Sequence, residues 1–163
     1  IACIMEGTRP IMAEVQALVT PTGFGNPRRM CTGFDYNRVA MILAVLEKKA
    51  GYFFGTMDTY VNIVGGLKLD EPATDLSVAM ALVSSLKDSV VSDDVLAFGE
   101  IGLAGEIRGV NNCEQRLKEA IRLGFSRCII PRHNLRNLSA DIGGNTEIIG
   151  VRNIREAFEA ATR

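Results

Sequence analysis

An α+β domain with a mixed sheet and packed helices is what the sequence predicts, on three observations. Apolar residues recur at helical spacing in several segments, as Val39, Ile42, Leu43 and Leu46 do. Short apolar runs bounded by glycine, proline or asparagine read as strands, Arg127 to Pro131 among them. Some of these runs are close enough for hairpins while others need crossovers, which argues against a doubly wound parallel sheet. At 163 residues the chain suits one domain spanning 1–163.

Cys3 to Met5 and Ile11 to Val19 read as two strands around the Gly7-Thr8-Arg9-Pro10 turn, with Met12, Glu14, Gln16 and Leu18 on one side of the second. Pro21 to Pro27, holding Gly23, Gly25 and Asn26, is a loop, and Arg28 to Thr32 resumes as a strand. Asp35 is placed to cap a helix from Tyr36 to Ala50, and Gly51 to stop it. Tyr60 to Val64 is strand-like and ends at Gly65-Gly66. Lys68 to Asp75 then forms a polar turn that launches a helix from Leu76 to Lys87, which Asp75 would cap. Val95 to Ile101 and Glu106 to Val110 should pair across Leu103-Ala104-Gly105, with Glu100 able to close a hydrogen-bonded turn. Asn112 would cap a third helix, Cys113 to Leu123. After the strand Arg127 to Pro131, Thr146 to Val151 forms another, and Asn153 begins a last helix running to about Thr162. No internal repeat or low-complexity tract appears.

The net charge of -1 gives no whole-chain pull toward nucleic acid or membrane, so any basic site must be local. Runs such as Ile42 to Leu46 and Val78 to Val83 fall far short of the roughly 18 residues a membrane span needs, and no basic-then-apolar leader begins the chain. A soluble, cytoplasmic protein without membrane partners is expected. Ile1 already sits in an apolar segment, which suggests a piece of a longer polypeptide. Cys3, Cys31, Cys113 and Cys128 are widely spaced and His133 is the single histidine, so zinc-ligand spacing is absent. Apolar neighbours on each cysteine suit reduced core thiols better than disulfides.

Two stretches bear on chemistry: Glu71-Pro72-Ala73-Thr74-Asp75 opening an apolar helix, and Gly99-Glu100-Ile101 through Gly105-Glu106-Ile107 downstream. Together they resemble the catalytic core of a Lon-type protease, in which a Pro-Ser-Ala-Gly turn supplies a serine nucleophile and a later helix supplies the lysine that activates it. The resemblance puts Ala73 at the serine position and Glu114 at the lysine position. A methyl group cannot attack a carbonyl, and a carboxylate cannot replace a lysine base. Gly65-Gly66-Leu67-Lys68 spells the tetrapeptide that carries the lysine in active Lon enzymes, but it precedes the serine-equivalent turn. Ser77, Ser84 and Ser85 lie along a helix rather than on the exposed turn a nucleophile needs. His133 has no identifiable serine or cysteine partner and reads as a turn or surface residue.

Further blocks extend the resemblance over nearly the whole chain: Met5-Glu6-Gly7-Thr8-Arg9-Pro10, Glu14-Val15-Gln16-Ala17-Leu18, Thr32-Gly33-Phe34-Asp35-Tyr36-Asn37-Arg38 and Leu43-Ala44-Val45-Leu46-Glu47-Lys48. They are similar to the Lon protease-like C-terminal domain of the bacterial RadA family, also called Sms, of DNA-repair and recombination ATPases. The resemblance implies a catalytically vacant Lon-like domain that is not itself an enzyme. The full-length protein would be a DNA-dependent ATPase acting on branched recombination intermediates. It also implies a zinc finger and a RecA-like motor elsewhere in that protein, and ATP, Mg and Zn are expected only there. Neither a Cys-x-x-Cys finger nor a phosphate-binding Gly-x-x-x-x-Gly-Lys loop occurs in these residues. A homo-oligomeric, hexameric ring follows from the same resemblance, as does a recombinase partner.

Phosphate contacts need cations that reach outward from turns and sheet edges. Arg28 and Arg29 follow a Gly/Pro-rich loop, Arg38 begins a helix, Lys68 follows Gly65-Gly66, and Arg108 sits past a hairpin turn. Arg28, Arg38, Lys68 and Arg108, with Arg29, are the expected contacts to single-stranded, duplex or branched DNA. Lys68 and Arg108 should flank the vacant groove. Met12, Ile63 and Leu103 are apolar candidates for subunit contact, with burial in the core the expected alternative for each. Two alternatives stand beside this reading: a Lon-like serine peptidase with a non-standard nucleophile, and a purely structural oligomerisation module.

Overall fold

The computed structural model describes residues 1–138, 142 and 144–162. Its strands are β1 (Ala2–Glu6), β2 (Arg9–Ala13), β3 (Val15–Pro21), β4 (Arg29–Thr32), β5 (Met57–Ile63), β6 (Val95–Ala97), β7 (Glu100–Ile101), β8 (Ile107–Arg108), β9 (Arg127–Pro131) and β10 (Glu147–Val151). Among the described residues five α-helices accompany them: α1 (Tyr36–Ala50), α2 (Asp75–Lys87), α3 (Cys113–Arg122), α4 (Arg132–Leu135) and α5 (Ile154–Thr162). Instead of one mixed sheet there are small separate ones. Strands β3, β5 and β4 form a mixed sheet in that order, and β10, β9 and β6 form a parallel one. Hairpins β1-β2 and β7-β8 complete the set.

Helix α1 has the ends its sequence announces. The Asp35 carboxylate accepts from the Asn37 amide at 3.3 Å, and Gly51 takes the left-handed conformation as Tyr52 N–H bonds back to the Leu46 carbonyl. Lys48 and Lys49 sit in the last turn, where cations offset the helix dipole. Helix α5 is started by Asn153, whose side-chain oxygen accepts from Glu156 N–H at 3.0 Å. Helix α2 is buried from Asp75 to Met80 and again at Leu82 and Val83, so it is the centre of the larger core rather than a surface helix. Helix α3 covers a second cluster built from Cys3, Leu96, Phe98, Cys128 and Ile130 with its own Cys113, Leu117 and Ala120.

Several elements differ from the sequence expectation. The stretch Ile11 to Val19 is two strands in different sheets, broken at Glu14, whose carbonyl turns to accept from Val64 N–H at 3.1 Å. Strand β5 starts at Met57, and Val64–Gly66 is a 3₁₀ turn. The downstream pair shrinks to Glu100 opposite Arg108 and Ile101 opposite Ile107, because Phe98 N–H is drawn to Ile129 and Gly99 to Ala73. Glu106, not Glu100, closes that turn by accepting from Ala104 N–H at 3.1 Å. Asn112 precedes α3 in the left-handed conformation and its side chain makes no capping bond.

Gly33 joins β4 to α1 at a place where no other residue fits. Its φ is +85°, a Cβ there would lie 2.5 Å from the Leu67 carbonyl oxygen, and its own carbonyl accepts from Leu69 N–H at 2.7 Å. Gly33→Ala is expected to lower stability by more than about 2 kcal/mol, combining left-handed strain with the backbone clash. Urea unfolding checks this as a drop in midpoint at unchanged slope.

Candidate functional site

The residues from Glu71 to Asp75 make a 3₁₀ turn, Pro72–Thr74, that runs directly into α2. Its backbone is held from both sides. Gly99 N–H donates to the Ala73 carbonyl at 2.8 Å, and Leu76 N–H donates to the Gly99 carbonyl at 3.1 Å. Gly99 permits this approach because a Cβ there would lie 2.7 Å from Ile107 Cγ2. The Ala73 side chain is a buried methyl. Thr74 spends its hydroxyl on the Glu71 carbonyl at 2.7 Å, and Ser77 donates to the Thr74 carbonyl at 3.1 Å.

Two ion pairs flank this turn. Asp75 was expected to cap α2, but its fully buried carboxylate turns away to Arg38. Arg38 Nε donates at 2.6 Å, its Nη2 meets the second oxygen, and Ile101 N–H adds a bond at 3.1 Å. Burial is the larger influence on Asp75 and raises its pKa, while the Arg38 and Ile101 donors pull it down. Arg38 is in turn held more firmly protonated by the carboxylate.

On the other side lies Arg116, a charged residue of α3. It is 1% exposed. Nη1 donates to the Cys3 carbonyl at 2.7 Å and to Glu71 Oε1 at 2.5 Å, Nε donates to the Asn111 carbonyl at 3.0 Å, and Nη2 to Asn111 Oδ1 at 3.2 Å. The guanidinium also stands 5.8 Å from the Phe98 ring centroid. Glu71 uses its other oxygen to accept from Met5 N–H at 3.4 Å. A signal for this cluster was present: Cys113, Arg116, Leu117 and Ala120 follow helical i, i+3, i+4, i+7 spacing, which puts Arg116 on the buried stripe. Glu114 lies about 200° around the helix from it, at roughly 100° per residue, and Lys118 approaches it at 3.9 Å on the half-exposed side.

The five basic candidates fall into two places. Arg38 and Lys68 share a hollow of about 590 Å³ with Asp35, Asp70 and Glu71. Lys68 is exposed, whereas the Arg38 guanidinium is taken by Asp75. Arg108 is exposed opposite Glu100 and lines a second hollow of about 530 Å³ with Asn111, His133 and Asn134. Glu100 also acts electrostatically on Arg38 and Asp75, so the two hollows border one acidic centre. Arg28 and Arg29 stand at the far end of β4, about 13 Å away at roughly 3.3 Å per residue. The Arg29 guanidinium is committed to the Met57 and Phe54 carbonyls and Arg28 is exposed.

Chain comparisons bear on this site directly. A protein-family model described as subunit ChlI of Mg-chelatase matches residues 31–134, from β4 into α4 and across Arg38, Ala73, Asp75 and Arg116. The chain belongs to this ChlI family. Among relatives, it is 49% identical over 161 residues to a protein named DNA repair protein RadA from Bacillus subtilis, covering 99% of this chain and 35% of that protein. The protein of the same name from Streptococcus pneumoniae is 50% identical over 159 residues, 98% of this chain and 37% of that one. The chain thus spans about a third of the length of the curated relatives it matches. The Ser84 hydroxyl donates to the Ser89 carbonyl at 2.6 Å and the Ser85 hydroxyl accepts from Val19 N–H at 2.9 Å, so neither is presented on a turn. His133 is exposed on α4, beside Gly109. Cys3, Cys113 and Cys128 are buried free thiols whose pKa values burial pushes up to about 11, 12 and 12, which keeps them un-ionised. Ile63 is buried in the core, Met12 is half-buried and Leu103 is exposed. No described helix is long and apolar enough to cross a membrane.

The Asp75 pair makes a pH-dependent prediction. A carboxylate whose folded pKa is raised binds its proton more tightly in the native state, so its contribution to stability declines as pH rises through that value. Arg38 offsets this decline. Arg38→Met is expected to cost about 2–3 kcal/mol near pH 7, discounted for the partial exposure of Arg38, and much less at about pH 3, below the ordinary carboxylate value from which Asp75 is raised, where a protonated Asp75 needs no cation. Denaturation curves of both proteins at the two pH values check the sign.

Proposed function

We propose that the chain is a catalytically vacant Lon-like domain of a RadA-type DNA-repair ATPase, contributing DNA contacts and subunit packing to a ring-shaped assembly. The observation that carries this reading is the Glu71–Asp75 turn. Where the Lon resemblance calls for a serine it holds a buried methyl, hydrogen-bonded through its carbonyl to Gly99. The cation that reaches this turn from α3 is Arg116, a guanidinium held by four hydrogen bonds to Cys3, Glu71 and Asn111, and a guanidinium cannot act as a general base. Identity of about half over nearly the whole chain to proteins named for DNA repair supports the cellular setting.

DNA contact falls to Lys68 and Arg108 first, because both are exposed and neither forms an ion pair among the described residues. Arg28 extends the contact along β4. The carboxylates around Lys68 favour backbone tracking at moderate affinity over tight binding. Arg38 contributes through Asp75 as a positioning residue. Subunit packing is supported by an apolar row on the outer face of the β3-β5-β4 sheet, where register sets Leu18, Tyr60 and Met30 side by side and leaves Leu18 and Met30 each 57% exposed. The ATPase motor, its Mg and Zn, and a recombinase partner belong, in this proposal, to the rest of the longer protein.

Duplex binding by the full-length protein across a salt series tests the DNA half. The Lys68→Ala/Arg108→Ala double variant should bind more weakly and lose about two from the log–log salt slope, one phosphate contact for each side chain; an unchanged slope removes both residues from the contact. Ala73→Ser is expected to show no peptide hydrolysis above background, since a hydroxyl there would have no lysine on α3 to activate it, the α3 cation nearest the turn being Arg116 on Glu71. A fluorogenic peptide assay reads this, and turnover by the wild type itself would favour the peptidase alternative.

A further inference from the structure

Strand β3 has one edge that no other strand among the described residues covers. The Val64-to-Glu14 bond fixes the alternation along the β3-β5 ladder, so the main-chain groups of Gln16 and Leu18 point to β5 while those of Val15, Ala17 and Val19 point outward. Ser85 takes the Val19 N–H. Among the described residues, the outward N–H and C=O groups of Val15 and Ala17 have no partner. They line a groove of about 510 Å³ between β3, α2 and β6.

The groove has the other attributes of a strand-binding slot. Buried Met80 and Val95 and half-buried Ala81 offer small apolar surfaces for alternate side chains. Its serine hydroxyls are already engaged: Ser77 with the Thr74 carbonyl, Ser84 with the Ser89 carbonyl, Ser85 with Val19 and Ser92 with Asp94. The unpaired main chain of β3 adds to these side chains a row of backbone donors and acceptors that can read an extended ligand. Exposed carboxylates Glu14 and Asp93 line the groove with the Ile1 amino group, which donates to the Val95 carbonyl at 3.3 Å and feels the Glu14 charge, and no lysine, arginine or histidine side chain among the described residues does.

We propose that this groove binds an extended, basic peptide segment of a partner protein, which adds a strand to the free edge of β3. The partner's backbone pairs with Val15 and Ala17, its apolar side chains enter toward Met80 and Val95, and its cations face Glu14 and Asp93. The Glu71–Asp75 turn does not line this groove, so it is separate from the vacant centre.

The test uses the full-length protein and an end-blocked peptide of about six alternating valines and lysines, strand length by the usual measure. Binding should protect the Val15 and Ala17 amides from hydrogen exchange. N-methylation of alternate peptide amides should abolish it, and replacing the lysines by glutamates should weaken it at least about tenfold. Ala81→Phe, which fills the groove, should weaken binding similarly. Should that variant unfold, Glu14→Lys/Asp93→Lys changes only exposed positions and should reverse the preference to the glutamate peptide. Equal affinity for the N-methylated peptide overturns the proposal. Protection of both amides before peptide is added also overturns it: concentration-independent protection means another stretch of the same polypeptide fills the groove, and protection that grows with protein concentration means a second copy does.

Discussion

A guanidinium removed from water must find acceptors for its N–H groups, and Arg116 finds them on Cys3, Glu71 and Asn111 with Phe98 beneath it. Those partners come from the first strand, the turn before α2, the loop before α3 and the end of β6. One side chain thereby sets the relative position of both cores. Glu71 extends the constraint to Met5, so the β1-β2 hairpin and the turn at Pro72–Thr74 cannot shift independently. Removing any acceptor would leave a buried charge short of partners, which is why this cluster constrains geometry more than it adds net stability.

The Asp75 pair applies the same logic on the opposite flank. Its carboxylate ties α1, through Arg38, to the start of α2 and to the Ile101 amide at the β7-β8 hairpin. Between the two charge clusters, Gly99 bonds the turn from above and below, and its missing side chain leaves room for Ile107. The outcome is a turn in which almost every polar group has a fixed structural duty. The groups on and beside this turn are the Ala73 methyl, the Thr74 and Ser77 hydroxyls already bonded to carbonyls, the buried Asp75 carboxylate, and Glu71 paired with the Arg116 guanidinium.

Helix ends were the most legible part of the sequence. Asp35 and Gly51 delimit α1 by local hydrogen bonds and a left-handed residue, and Asn153 with Glu156 does the same for α5, since capping acts within a few residues. Strand partners were less legible. Alternation through Ile11 to Val19 is continuous, yet Glu14 separates two sheets because its carbonyl pairs with a residue fifty positions away. Asn112 fails for a related reason: a good capping residue needs an extended backbone, and here the chain enters α3 left-handed.

The candidate site divides along the same line. The residues alone showed a methyl at Ala73, a carboxylate at Glu114 and a list of basic side chains, because those are statements about which functional groups exist; that a hydroxyl and an amine are missing there is what the Lon resemblance implies. Which cations are free was decided by tertiary contact: Arg29 is consumed by carbonyls, Arg38 by Asp75 and Arg116 by a buried cluster, while Lys68 and Arg108 remain in water. Chemical identity is local to a residue. The availability of a charge depends on what burial and distant partners leave for it to do, and that is set only when the chain has folded.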